Sequence, residues 1–114
     1  DAISRLVTNA VQYTPAGGRV TVGTGVRTTD GRRWATIRVS DSGVGIPQRD
    51  LPHVFERFYR GDYAREHQIS GTGMGLPIVQ EVMRLHGGRV TAESEPGEGS
   101  TFTMWLPVQE PANP

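Results

Sequence analysis

Two runs of alternating apolar and polar residues, RVTVGTGV at 19–26 and RWATIRVS at 33–40, flank the dipeptide Asp30-Gly31. Period-two alternation puts one side of each run on a buried face, and Asp-Gly supplies the left-handed backbone that a tight hairpin needs. The two runs are therefore expected to pair antiparallel. The same grammar returns near the C-terminus, where RVTAES (89–94) and STFTMWLPV (100–108) face each other across the turn at 95–99.

Before each hairpin the period changes to that of a helix. Over residues 2–14, Ile3, Leu6, Val7 and Ala10 recur at helical spacing until Pro15-Ala-Gly-Gly18 stops the run. Arg5, Asn9 and Gln12 fall on the opposite side, with Tyr13 at the margin. Over 74–86, Ile78, Val79, Val82, Met83 and Leu85 form a second apolar face that ends at Gly87-Gly88. Pro77 is tolerated only in a first turn, so this helix is expected to start between Met74 and Leu76. From Pro47 to Arg60 the sequence permits a short helical turn or two. Residues 61–73 are polar, glycine-bounded and aperiodic, and read as a mobile loop.

A chain of 114 residues suits one compact domain, here 1–114, with 107–114 as a flexible tail. Twelve cations balance twelve anions, which gives no bulk electrostatic reason to bind nucleic acid or an anionic membrane. There is no cysteine, so disulfides and thiolate metal sites are excluded, and a reducing cytoplasm is compatible. Every cation is arginine, which rules out a Walker-type lysine. No signal peptide or membrane-spanning run is present.

Several short stretches have the residue types of a ligand site. The glycines of GTGMG (71–75) open a helix, where free N–H groups and the helix dipole favour phosphate. A dinucleotide fold is not expected there, because DYAREHQI rather than an apolar strand precedes the glycines and the spacing is GxGxG. Asp41 closes a strand and leads into Ser42-Gly43-Val44-Gly45. It reads either as an acceptor for the exocyclic amine of adenine, with glycines that let a flat ligand approach, or as a solvated aspartate that opens a turn. Asn9 offers an amide oxygen suited to magnesium, or is an ordinary exposed helical asparagine. In VFERFYR (54–60), Phe55 and Phe58 read as core, whereas Arg57 and Arg60 suit phosphate oxygens. His53, His67 and His86 have neither metal-ligand spacing nor an evident carboxylate partner, so no zinc site is expected.

Taken in order, NAVQYTP, DSGVGI, FERFYR and GTGMGLPIV resemble the N box, first glycine box, F box and second glycine box of bacterial sensor histidine kinases. These are their catalytic, ATP-binding domains, members of the GHKL group, and the resemblance covers nearly the whole chain. It implies an α/β two-layer sandwich in which a mixed, mostly antiparallel sheet lies under helices and ATP between the layers. It implies further that Asn9 coordinates magnesium, Tyr13 lies along adenine or ribose, and Asp41 reads the adenine amine with Gly43 and Gly45 allowing close approach. Residues from about Arg57 to Gly73 would form an ATP lid, with Gly71, Thr72, Gly73, Gly75 and Leu76 over the phosphates. The chain departs from the family at Arg5, where a second asparagine is common, and at Gln12, where a lysine is common.

The chain begins inside the first helix of that family, so it is expected to be an N-terminally truncated fragment of a larger cytoplasmic kinase unit. The implied activity is transfer of the γ-phosphoryl group of Mg-ATP to a histidine on a separate dimerisation domain, Arg57 and Arg60 assisting. A response regulator would be an indirect partner. A GHKL serine kinase of the anti-sigma type and a degenerate domain with weak ATP affinity are the alternatives.

Overall fold

The computed structural model describes residues 1–56 and 75–108. Helix α1 (Ala2–Gln12) is followed by β1 (Val20–Thr29), β2 (Arg32–Asp41), a single 3-10 turn (Leu51–His53), α2 (Gly75–Leu85), β3 (Arg89–Glu95) and β4 (Gly99–Pro107). The Asp1 carboxylate caps α1 by accepting from the Ser4 amide at 2.8 Å. Gly87, at φ 75°, turns the chain out of α2.

The strands form one sheet in the order β1-β2-β4-β3, and every pairing among the described residues is antiparallel. Asp30 and Gly31 both have positive φ, 54° and 74°, which is the backbone of a type I′ turn. Their arms run longer than the alternation alone indicates, because the turn lets pairing continue to Thr29 and Arg32.

Register assigns each side chain a face. Val39 opposes Phe102, Ile37 opposes Met104, and Val90 also opposes Met104, so these point the same way. On that face they meet Leu6 and Ala10 of α1 and Val79 and Met83 of α2, and together they form the core. Fully burying an aliphatic or aromatic side chain of this size stabilises by roughly 1.5–3 kcal/mol. Phe55 stands edge-on to Phe102, with centroids 6.1 Å apart, and so anchors the segment before residue 57 to the sheet. That is the structural role expected for it. The architecture is the expected two-layer α/β sandwich.

No helix of the described residues is long and apolar enough to cross a membrane.

Candidate functional site

Asp41 is the last residue of β2 and stands where the sheet meets the C-terminal end of α1. Its Oδ1 accepts from the Gly43 amide at 2.9 Å, turning the chain immediately. Burial pushes this carboxyl above its ordinary range, and backbone hydrogen bonds from Gly43 and Ser100 pull it partly back. An acid that is half out of water with only part of its acceptor capacity used is suited to a further donor.

The loop after Asp41 is clamped on three sides. The Ser42 amide donates to the Arg19 carbonyl at 2.9 Å, and the Arg19 amide donates to Ser42 Oγ at 2.7 Å, which fixes the start of β1. The Val44 amide reaches the Tyr13 carbonyl at the end of α1, at 3.4 Å. On the third side, the Ile46 amide donates to Ser94 Oγ at 2.7 Å and the Gly97 amide donates to the Val44 carbonyl at 2.8 Å. Ser94 Oγ also lies 2.9 Å from both the Gly99 carbonyl and Ser100 Oγ, so one hydroxyl joins the loop to the β3–β4 turn.

This clamping gives the glycines a structural requirement. A Cβ at Gly43 would lie 2.2 Å from the Tyr13 carbonyl oxygen, and one at Gly45, which also has φ +76°, would lie 2.3 Å from that of Glu95. Backbone approaching backbone is enough to demand both glycines, whatever the loop binds.

Asn9 on α1 and Tyr13, the C-cap one turn later, are both partly buried, whereas Arg5 and Gln12 are exposed. Asn9 therefore flanks the buried stripe and is less solvated than its helical neighbours Arg5 and Gln12. Gly75 begins α2, and Leu76 in its first turn packs against the core that holds Leu6 and Ala10. The fold thus brings Tyr13, at the end of α1, against the Asp41–Gly45 loop. Arg57, Arg60, Gly71, Thr72 and Gly73, and with them the lid, Phe58 and His67, lie outside the described residues.

A cleft of about 590 Å³ adjoins Asp41 on the β3–β4 side, lined also by Gln48, Leu51, Ser94, Ser100, Thr101 and the glutamates at 93, 95 and 98. Asn9, Tyr13 and Leu76 do not line it. Ser94, Ser100 and Thr101 escaped the sequence reading. Their signal was the GEGST run beside a strand, which reads as turn chemistry unless the partner loop is known.

Two histidines acquire local explanations. Contrary to the sequence reading, His53 has a carboxylate partner, with Nδ1 2.5 Å from Glu56 Oε2 in an exposed pair. His86 Nδ1 lies 2.7 Å from the Val82 carbonyl at the end of α2, a helix-terminal contact. Among the described residues no three acidic or histidine side chains gather as a metal cage.

The family described as histidine kinase-, DNA gyrase B- and HSP90-like ATPase matches residues 1–110. The sensor histidine kinase WalK of Bacillus subtilis is 42% identical over 108 residues, 95% of this chain but 17% of WalK. SenX3 of Mycobacterium tuberculosis, a sensor-like histidine kinase, is 44% identical over 109 residues, 94% of this chain and 25% of SenX3. The chain thus spans a quarter or less of these relatives. Among solved structures, the mycobacterial sensor histidine kinase MprB superposes with TM-score 0.75 at 34% identity, covering 93% of this chain and 69% of that one. Full-length ShkA in complex with AMPPNP gives TM-score 0.72 at 27% identity, covering 97% and 22%.

Proposed function

Since this chain belongs to the histidine kinase-, DNA gyrase B- and HSP90-like ATPase family, we propose that it binds ATP with magnesium and presents the γ-phosphoryl group to a histidine on a separate helical domain. The observation that supports this most is Asp41, a partly buried carboxylate at a strand end, in a loop packed against the carbonyl of the partly buried Tyr13.

In this reading Asp41 accepts the adenine amine, and Tyr13 packs along the base or ribose. Glu93, Glu95 and Glu98 rim the cleft beyond Asp41 and repel a polyphosphate from that side. The phosphates then run the other way, toward Asn9 and the positive end of α2. Asn9 contributes one hard amide oxygen, which fits a magnesium ion held chiefly by phosphates and water with few protein ligands. When bound, the ion neutralises charge across the phosphates. What remains for the protein is positioning, with Arg57, Arg60 and the 71–76 glycine segment closing over the phosphoryl group. The histidine that attacks belongs to the dimerisation domain of the same protein, which hands the phosphoryl on to a response regulator in the cytoplasm.

Calorimetric titration with Mg-ATP tests the assignment. Asp41→Ala should weaken binding by about 10- to 100-fold, corresponding to a lost hydrogen bond to a charged group of roughly 1.5–3 kcal/mol. A variant that is folded by circular dichroism and keeps wild-type affinity would overturn the reading.

A further inference from the structure

The sheet face turned away from the helices has a cluster that nucleotide binding does not use. Register places Arg27 opposite Trp34, Thr36 opposite Trp105, and Arg89 opposite Trp105, all on that outer face. The two indole rings stand edge to face with centroids 6.4 Å apart. Three guanidinium groups lie over them: Arg27 on Trp105 at 5.5 Å, Arg32 on Trp34 at 5.2 Å, and Arg89 on both rings at 5.2 and 4.9 Å.

Stacking fixes these arginines without using their N–H groups, since a guanidinium over a ring still offers its donors at the edge. Arg27, Arg32 and Arg89 are all exposed, and among the described residues none of them is in an ion pair. Trp105 Nε1 donates to Thr91 Oγ1 at 2.9 Å, whereas Trp34 Nε1 is buried and has no acceptor among the described residues.

We propose that this face is a docking surface for a short acidic polypeptide segment, whose carboxylates pair with the pre-stacked Arg27, Arg32 and Arg89. Charge decides the class of partner. Alternation along β3 puts Glu93 and Glu95 on the same face as Arg89, so the basic patch is bounded by acid toward the C-terminal end of β3. A long polyanion such as duplex DNA would overrun into that repulsion, whereas a short segment with a few carboxylates fits within the patch. Because the arginines are already held, ordering them costs less on binding.

Both tryptophans of the chain lie in the patch, so intrinsic fluorescence reads its occupancy directly. Titration with an oligoglutamate peptide should give a saturable emission change that weakens with added salt and is absent with oligoglutamine. In the double variant Arg27→Gln/Arg89→Gln, with circular dichroism unchanged and ATP affinity retained, calorimetry should show oligoglutamate binding weakened by about tenfold or more. No response to oligoglutamate, or equal affinity in the double variant, would overturn the proposal. So would duplex DNA binding as tightly as the peptide, or an emission change driven by protein concentration alone, which would reassign the face to self-association.

Discussion

Asp41 is a carboxylate held where its charge is disfavoured. Its folded pKa lies above the ordinary 3.8 because burial outweighs its backbone hydrogen bonds. The folded state therefore binds a proton more tightly than the unfolded chain, and the contribution of Asp41 to stability falls as pH rises from about 3.8 through the folded value. A ligand amine that donates to the ionised form reverses this, so ATP affinity should increase with pH across the same window. Asp41→Asn should flatten that dependence relative to wild type; phosphate titration is common to both proteins and cancels in the comparison. Parallel profiles would mean that the carboxylate is not the acceptor. The neighbouring glycines allow a sharper structural test. Gly45 and Gly17 both have positive φ, 76° and 89°, but a Cβ at Gly17 would meet nothing within 4 Å, whereas at Gly45 it would strike the Glu95 carbonyl. Both Ala variants share the conformational penalty, so the difference between them reads the collision. Gly45→Ala should lose about 1–3 kcal/mol more in urea unfolding. Equal losses would show that the loop does not need its contact with the β3–β4 turn.

At the scale of elements, the loop after β2 is held by others more than by itself. Ser94 on β3 accepts from the Ile46 amide and bonds the Gly99 carbonyl and Ser100 Oγ. Removing that hydroxyl in Ser94→Ala leaves a partly buried amide without its acceptor, a loss of about 1–3 kcal/mol. Hydrogen exchange should accelerate at Ile46 more than along β2, and unchanged protection there would refute the clamp. Sequence reading located the elements because their signals are local. Asp30-Gly31 specifies its own turn, and Pro77 with Gly87-Gly88 brackets α2 within a residue or two. It could not say what Gly43 and Gly45 accommodate, because their backbone partners, Tyr13 and Glu95, are brought there only by the fold. The half-burial of Asn9 was hidden for the same reason, since the periodicity of α1 contains nothing about α2 packing beside it. The Arg57, Arg60 and Gly71–Gly73 assignments remain readings of motif.

Taken as a whole molecule, the two layers do not cover each other evenly. The helices bury the inner face of β2, β4 and β3, but on the edge strand β1 Val22 and Val26 remain 53% and 58% exposed. A domain of this size has a net stability of roughly 6–17 kcal/mol, on a scale of about 0.05–0.15 kcal/mol per residue, and its partly uncovered sheet places it toward the lower end. Ligand binding is then a large fraction of the total. Mg-ATP at about one hundred times its dissociation constant should add about 2.7 kcal/mol. With roughly 4 °C or more per kcal/mol for a domain near this length, Tm should rise by about 10 °C. A domain that had lost nucleotide binding would show no shift, which separates the ATPase reading from the degenerate one. The same measurement resolves the two departures on α1. Arg5 and Gln12 are exposed on the same helix as Asn9, so a cation restored by Gln12→Lys can reach phosphate without disturbing the core. If a phosphate contact is missing, Gln12→Lys should enlarge the Mg-ATP shift while leaving the nucleotide-free Tm unchanged. An identical shift in both proteins would show that Arg5 already supplies the charge.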